Sequence, residues 1–268
     1  MTTQTEMKRN PVATNAFAWN EIATRDTAKV ASFYCALFGW TSELAECTAG
    51  YTVFKIGDTP IAGMIEMNEE WPEETPTHWG TYIHVEDVDA TAATVTDAGG
   101  TVCSGPKDAG EGGRMAVLSD PAGAIFSLYK GGDGLNAFGT GAFCWNELCT
   151  DDTDISGKFY ADVFGWELEK DPEGDCPYTL FKSGEEYVGG MMEIHWDAKP
   201  SWLGYVAVDD VDIAASRAAE LGAHLCVEPQ DIPNIGRFAV FTDPAGGTLG
   251  VFKSQSSCSG DSCGCSEG

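Results

Sequence analysis

From Phe17 to Ala23, large and polar residues alternate with the period of a strand, placing Trp19, Glu21 and Ala23 on one face and Asn20 and Ile22 on the other. Beyond Arg25 the period changes. Val30, Phe33, Tyr34, Leu37 and Phe38 fall at i, i+3, i+4, i+7 and i+8, the apolar stripe of a helix that Asp26 caps and Gly39 ends. A strand after Trp40, one over residues 51–56 and one over 61–67 follow, separated by Ala49-Gly50 and Gly57-Asp58 turn signals. The unit reads βαβββ.

An acidic, Pro-containing connection over residues 68–77 leads into a second unit of the same order. It predicts a strand over 79–85, a helix opened by Asp87 or Asp89 and stopped at Gly99-Gly100, and a short strand over 101–103 running into a Gly-rich loop. Strands over 114–118 and 124–129 then flank the turn Ser119-Asp120-Pro121-Ala122-Gly123.

The whole order recurs. Aligning Phe17 with Phe143 gives twelve identities in twenty-four positions, including Trp19/Trp145, Asn20/Asn146, Glu21/Glu147, Phe33-Tyr34/Phe159-Tyr160 and both Phe-Gly-Trp endings. Residues 143–194 repeat the first unit and 202–253 the second, Asp243-Pro244-Ala245-Gly246 answering Asp120-Pro121-Ala122-Gly123. The expected layout is a flexible N-terminus (1–15), a first two-module domain (16–130), a Gly-rich linker (131–141), a second two-module domain (142–254) and a disordered Cys/Ser/Gly tail (255–268).

Composition narrows the partners. Fifteen Lys and Arg against 42 Asp and Glu give a net charge of −27, which repels nucleic-acid backbones and anionic membrane surfaces. The excess acid is scattered, as on a strongly solvated surface. No apolar stretch nears the ~20 residues of a membrane span and residues 1–15 hold no apolar leader, so a cytoplasmic location is expected. Of ten cysteines, seven (Cys35, Cys47, Cys103, Cys144, Cys149, Cys176, Cys226) are spread through predicted elements and read as small buried or partly buried thiols. Cys258, Cys263 and Cys265 lie in the tail.

Four βαβββ modules, with Phe-Tyr-x4-Gly-Trp closing the helix of the odd ones and Asp-Pro-x-Gly before the last strand of the even ones, resemble the vicinal oxygen chelate superfamily. That superfamily includes glyoxalases, bleomycin-resistance proteins and extradiol dioxygenases. The resemblance implies an α+β chain whose four βαβββ modules pair into two glyoxalase-like half-open barrels, each enclosing a cleft. It also implies metal ligands, His, Glu or Gln, on the first and last strands of the modules. Those positions fall here on Trp19, Trp145, Gly80, Leu203, Ser127 and Gly250. The cofactor stays open: a divalent metal suits the resemblance, yet the usual ligand positions are not filled and no residue is assigned as a metal ligand.

Glu21 and Glu147 sit two residues beyond the vacant ligand positions and share their face with a Trp, where burial raises a carboxylate's pKa. His84 falls in step with Tyr82 and is expected to face Glu21, whereas its counterpart is Ala207. Glu21 and His84 are therefore the catalytic candidates, and Trp19, Tyr82, Trp145, Glu147 and Tyr205 the substrate-binding ones. A structural Glu, a core His and ordinary wall tyrosines are the plainer account of the same residues. Met64, Met191, Met192, Phe54 and Phe181 read as core first and lining second. Arg114 and Arg237 read as ties to the neighbouring Asp-Pro-Ala-Gly turns, with a substrate clamp as the rival role. The expected ligand is a small molecule and the expected assembly a monomer or homodimer. Two functions stand at this point: a lyase-, isomerase- or dioxygenase-type enzyme acting on a small oxygenated metabolite in the N-terminal cleft, or a non-catalytic, bleomycin-resistance-like binding protein.

Overall fold

The computed structural model describes residues 8–45, 50–110, 113–131, 135–170, 177–194 and 198–255. The chain opens with β1 (Lys8–Pro11). The first module follows as β2 (Ala16–Thr24), α1 (Thr27–Phe38), β3 (Thr41–Leu44), β4 (Tyr51–Ile56) and β5 (Thr59–Glu66). The second comprises β6 (His78–His84), α2 (Val88–Asp97), β7 (Thr101–Asp108), β8 (Arg114–Ser119) and β9 (Ile125–Lys130). Past β10 (Leu135–Phe138), the third runs through β11 (Phe143–Thr150), α3 (Thr153–Phe164), β12 (Glu167–Lys170), β13 (Tyr178–Ser183) and β14 (Glu186–Glu193). The fourth is β15 (Ser201–Ala207), α4 (Val211–Glu220), β16 (His224–Ile232), β17 (Gly236–Thr242) and β18 (Thr248–Ser254).

Each helix begins where an Asp side chain accepts a backbone N–H: Asp26 from Lys29, Asp87 from Ala90, Asp152 from Ile155 and Asp210 from Ile213. Gly39 and Gly165 end α1 and α3 at φ of 71° and 69°, a left-handed conformation that costs glycine little. The predicted α+β class and the four modules are therefore present. Two segments differ from the sequence reading. β1 pairs antiparallel with β10, although neither segment carries a strand pattern. And β7 runs on to Asp108 through the expected Gly-rich loop, because bulges after Val102 and Ser104 let it stay paired with β8. The tail cysteines lie outside the described residues, as do Cys47, Cys176 and His195.

The modules pair into two eight-stranded sheets, ordered β3-β4-β5-β2-β6-β9-β8-β7 and β12-β13-β14-β11-β15-β18-β17-β16. One face of each sheet carries Glu21 or Glu147, the face on which the resemblance places a cleft. The other is apolar and packs on helices, but not on the helices of its own half alone. One core joins α1, Phe54 and Met64 of the first module to α4, Phe241, Leu249 and Val251 of the fourth, with the Phe33 and Phe241 rings 5.8 Å apart. The other joins α2, Phe126 and Leu128 of the second module to α3, Trp166 and Phe181 of the third. Sheets thus form within halves and cores form between them. Each fully buried large apolar side chain there contributes about 1.5–3 kcal/mol.

Buried polar contacts fix that arrangement. Trp79 Nε1 donates to the Tyr34 hydroxyl (2.7 Å), which donates to Asp243 Oδ2 (2.8 Å) in the other half. Trp202, Tyr160 and Asp120 repeat the relay in the opposite direction. At the centre, Asn20 Nδ2 donates to Asn146 Oδ1 (2.8 Å), which also accepts from Thr81 Oγ1 (3.1 Å).

Several expectations are corrected by these contacts. Arg114 and Arg237 do not tie the Asp-Pro-Ala-Gly turns. Each instead grips the first-turn Asp of its module's helix with two nitrogens, Asp89 or Asp212, and adds an edge-strand partner, Asp108 or Asp231. Of the thiols, Cys35 and Cys149 are half-buried as expected, but Cys103, Cys144 and Cys226 are exposed. Cys103 and Cys226 ride on edge strands, where one face has nothing above it. Among the described residues, no helix is long and apolar enough to cross a membrane.

Candidate functional site

The alternation of β2 turns Asn20 and Ile22 into the core and leaves Trp19 and Glu21 half-buried on the cleft face. Glu21 lies in register with Gly63 on β5 and Gly80 on β6, so its carboxylate is flanked by two residues without side chains. Gly63 is needed for what happens next. A Cβ there would lie 2.1 Å from the Tyr51 hydroxyl and 2.9 Å from Trp19 Nε1, so only glycine lets the tyrosine cross the strand. Trp19 Nε1 donates to the Tyr51 hydroxyl (2.9 Å), and Tyr51 bonds Glu21. From the other side the Tyr82 hydroxyl donates to Glu21 Oε1 (2.8 Å), itself hydrogen-bonded by Ser127.

Burial pushes the Glu21 carboxyl above the usual range, and Tyr51, Tyr82 and the positive charge of Lys107 pull it back only in part. The same burial pushes both tyrosines well up, keeping them protonated as donors. Glu21 is thus a carboxylate eager to take a proton, held in one orientation by phenols that are in turn polarised by Trp19 and Ser127.

The second half builds the same array. The Tyr205 hydroxyl donates to Glu147 Oε1 (3.0 Å), Trp145 Nε1 donates to the Tyr178 hydroxyl (2.9 Å), and Tyr178 bonds Glu147, whose carboxyl burial likewise raises. Gly190 makes the room that Gly63 makes, with a Cβ there 2.1 Å from the Tyr178 hydroxyl. The surroundings differ. Leu203 stands where Gly80 leaves the floor beside Glu21 open, the nearest atom to a Cβ at Gly80 being the Glu21 carbonyl oxygen at 3.8 Å.

The structure therefore gathers the sequence candidates Trp19, Glu21 and Tyr82 in one cleft and Trp145, Glu147 and Tyr205 in the other. His84 shares the face of Tyr82 but forms no bond with Glu21. The tyrosines take the carboxylate, and His84 Nδ1 is buried without a partner among the described residues, which costs about 1–3 kcal/mol. Tyr51, Tyr178 and Lys107 are site residues that sequence reasoning missed. Phe54, Phe181, Met64 and Met191 are fully buried on the far face and belong to the core, while Met192 is half-buried. His78 bonds the Pro76 carbonyl, and His224 is exposed.

The donor set does not fit a metal. The superfamily's ligand positions carry an indole N–H, which only donates, a Leu or Ser side chain, or glycine, which has none. On each of these faces the half-buried carboxylate, Glu21 or Glu147, is already held by two phenols. Among the described residues no three His, Cys, Asp or Glu side chains converge.

Comparison with known proteins bears on this geometry. The family model described as a glyoxalase-like domain matches twice, over residues 19–129 and 144–252. A Mycobacterium bovis protein provisionally named a glyoxylase is 36% identical over 243 residues, 88% of this chain and 93% of its own. The anthracycline biosynthesis protein DnrV of Streptomyces peucetius is 32% identical over 257 residues, 89% of this chain and 93% of its own. Among solved structures, the Mn(II)-bound glyoxalase of Novosphingobium aromaticivorans superposes with a TM-score of 0.63 at 17% identity, covering 90% of this chain and 82% of that one. The 2,3-dioxygenase LapB of Pseudomonas gives 0.63 at 15% identity, covering 91% and 94%. At such identities the two structures speak to fold alone.

Proposed function

Because the chain belongs to the glyoxalase-like domain family yet lacks that superfamily's metal-ligand pattern, we propose that it is a glyoxalase-like enzyme moving a proton on a small oxygenated metabolite in the N-terminal cleft. The observation that carries this reading is the Glu21 carboxylate, raised in pKa, held by Tyr51 and Tyr82, and bordered by the open floor at Gly80. A base of this kind takes a proton from a carbon next to a carbonyl, and the electron pair moves onto the carbonyl oxygen as an enolate. Trp19 and Tyr82 wall the ligand. Chemistry of the isomerase or lyase type follows from such a step. The dioxygenase alternative depends on a metal with open positions, for which these residues supply no ligand set.

The test is exchange in D2O. A panel of α-hydroxyketones and cyclic 1,3-diketones is incubated with the protein and followed by proton NMR for loss of the acidic C–H. Catalysed exchange that vanishes in Glu21→Gln and persists in Glu147→Gln supports the assignment. Exchange undiminished in Glu21→Gln overturns it. The binding-protein reading keeps one observation of its own: the carboxylate–phenol array is intact in both clefts, including the C-terminal one whose floor Leu203 closes. It predicts ligand-induced tryptophan fluorescence changes without exchange.

A further inference from the structure

Register places four residues side by side across the cleft face of the N-terminal sheet. His84 on β6 pairs with Tyr129 on β9, Tyr129 with Met115 on β8, and Met115 with Lys107 on β7. Directly paired residues share a face, and His84 is two residues from Tyr82, so this row lies on the Glu21 side of the sheet, next to the row of Trp19, Tyr82 and Ser127. The bulge between Ser104 and Lys107 is what brings Lys107 into the row. Its ammonium is exposed, enters no ion pair among the described residues, and is near enough to draw on the Glu21 charge.

The corresponding row of the other half is Ala207, Phe252, Phe238 and Gln230, joined by the same register. An imidazole, a phenol, a thioether and an ammonium are replaced by a methyl, two phenyl rings and an amide. Every charge and every hydroxyl is lost from the row. In a chain of net charge −27, an anion is repelled by the surface at large and accepted only where a local cation and hydrogen-bonding groups receive it.

We propose that the row His84–Tyr129–Met115–Lys107 is the subsite for a negatively charged group, a carboxylate or phenolate, on the ligand of the N-terminal cleft, while the C-terminal cleft accepts uncharged ligands only. Lys107 supplies the charge, His84 and Tyr129 supply polar contacts, and Met115 gives an apolar floor between them. This deepens the cleft assignment above and rests on it.

Benzoate and benzamide, alike in shape and unlike in charge, are the probes, titrated to millimolar concentration against protein with 15N-labelled tryptophan. The Trp19 indole signal reports the N-terminal cleft and the Trp145 signal the C-terminal one. Expected are tighter binding of benzoate than benzamide at Trp19, a response to benzamide alone at Trp145, and about a fivefold loss of benzoate affinity in Lys107→Gln that Lys107→Arg restores. Benzamide affinity is unchanged by either substitution. If the two probes bind Trp19 equally, or Lys107→Gln weakens both alike, the anionic subsite is overturned and the cleft still stands as a binding site. If neither probe moves Trp19, the cleft assignment falls with it.

Discussion

Gly63 and Gly80 flank the same carboxylate on neighbouring strands, yet a methyl group added to each should have opposite effects. At Gly63 the new Cβ would sit 2.1 Å from the Tyr51 hydroxyl, where ordinary contact starts at 3.4 Å, so the ring must retreat by 1.3 Å (3.4 − 2.1) or the strand must bend. Either movement breaks the 2.9 Å Trp19–Tyr51 bond. Overpacking of this kind costs about 1–3 kcal/mol and the lost hydrogen bond about 1 more, so Gly63→Ala should lose about 2–4 kcal/mol. At Gly80 the nearest atom is 3.8 Å away, and Gly80→Ala should be neutral or gain about 0.4–1 kcal/mol through the unfolded chain. Gly190→Ala should match Gly63→Ala, since the Tyr178 hydroxyl lies at the same 2.1 Å. Urea denaturation followed by circular dichroism measures all three. Ligand binding separates them further: Gly63→Ala should disturb only the Trp19 indole signal, Gly190→Ala only that of Trp145, and Gly80→Ala should hinder ligand entry beside Glu21 while leaving the protein stable. Equal stability of Gly63→Ala and Gly80→Ala would refute the account of why glycine borders the site.

The buried carboxylates set a pH dependence of unusual sign. Folding raises the pKa of Glu21 and Glu147, so in the window between the unfolded carboxylate value and the raised folded one the native state binds more protons, and stability falls as pH rises through it. Glu21→Gln with Glu147→Gln should therefore raise Tm at pH 8 and lose that advantage by about pH 4, while an unchanged gap across that range would contradict it. Asp89 and Asp212, lowered by their Arg partners, act the other way and lose their contribution as pH falls. Tyr34→Phe leaves the Trp79 N–H and the Asp243 carboxylate short of a partner in the core, at about 2–4 kcal/mol, and thermal unfolding should remain a single transition because both cores span the halves. For the same reason fragments 1–130 and 142–254 should each bind a hydrophobic dye when alone and recover near-ultraviolet circular dichroism when mixed.

The modules were legible because their signals are local. Period-2 and period-3.6 patterns, Asp caps and Gly39 or Gly165 stops are read within a dozen residues. Which module packs on which was not, since Phe33 and Phe159, or Phe54 and Phe181, are the same residue in both halves and nothing in an apolar stripe names its partner. Tyr51 and Tyr178 were missed because a tyrosine opening a strand is unremarkable. The readable clue was a glycine, Gly63 or Gly190, repeated at the same place on the next strand. Lys107 was hidden by a Gly-Pro pair that reads as loop and is a bulged strand. The alternation of β6 puts His84 on the face of Tyr82, but alternation says nothing about competition, and two phenols take Glu21.

The duplication makes the second half an internal control for the first. On the core face the halves hold the same side chains: Tyr34/Tyr160, Trp40/Trp166, Phe54/Phe181, Met64/Met191, Trp79/Trp202 and Asp120/Asp243. Those residues line cores that are each assembled from both halves. On the cleft face the Trp, Glu and two Tyr of the array are also kept, which makes the carboxylate a common scaffold and not the source of any difference. The differences lie around it: Gly80/Leu203, His84/Ala207, Lys107/Gln230, Met115/Phe238, Ser127/Gly250 and Tyr129/Phe252, with the Cys149 thiol beside Glu147 where the first half has Ala23. Each of these changes leaves the C-terminal cleft less polar or more filled, or does both. Gly250 shows that the changes are coupled, since a Cβ there would lie 2.2 Å from the Tyr205 ring, whereas Ser127 stands off and hydrogen-bonds Tyr82. Under the proposed anionic subsite, binding of benzoate at Trp145 should therefore need Leu203→Gly and Gln230→Lys together, because a cation beside a filled floor has nothing to hold.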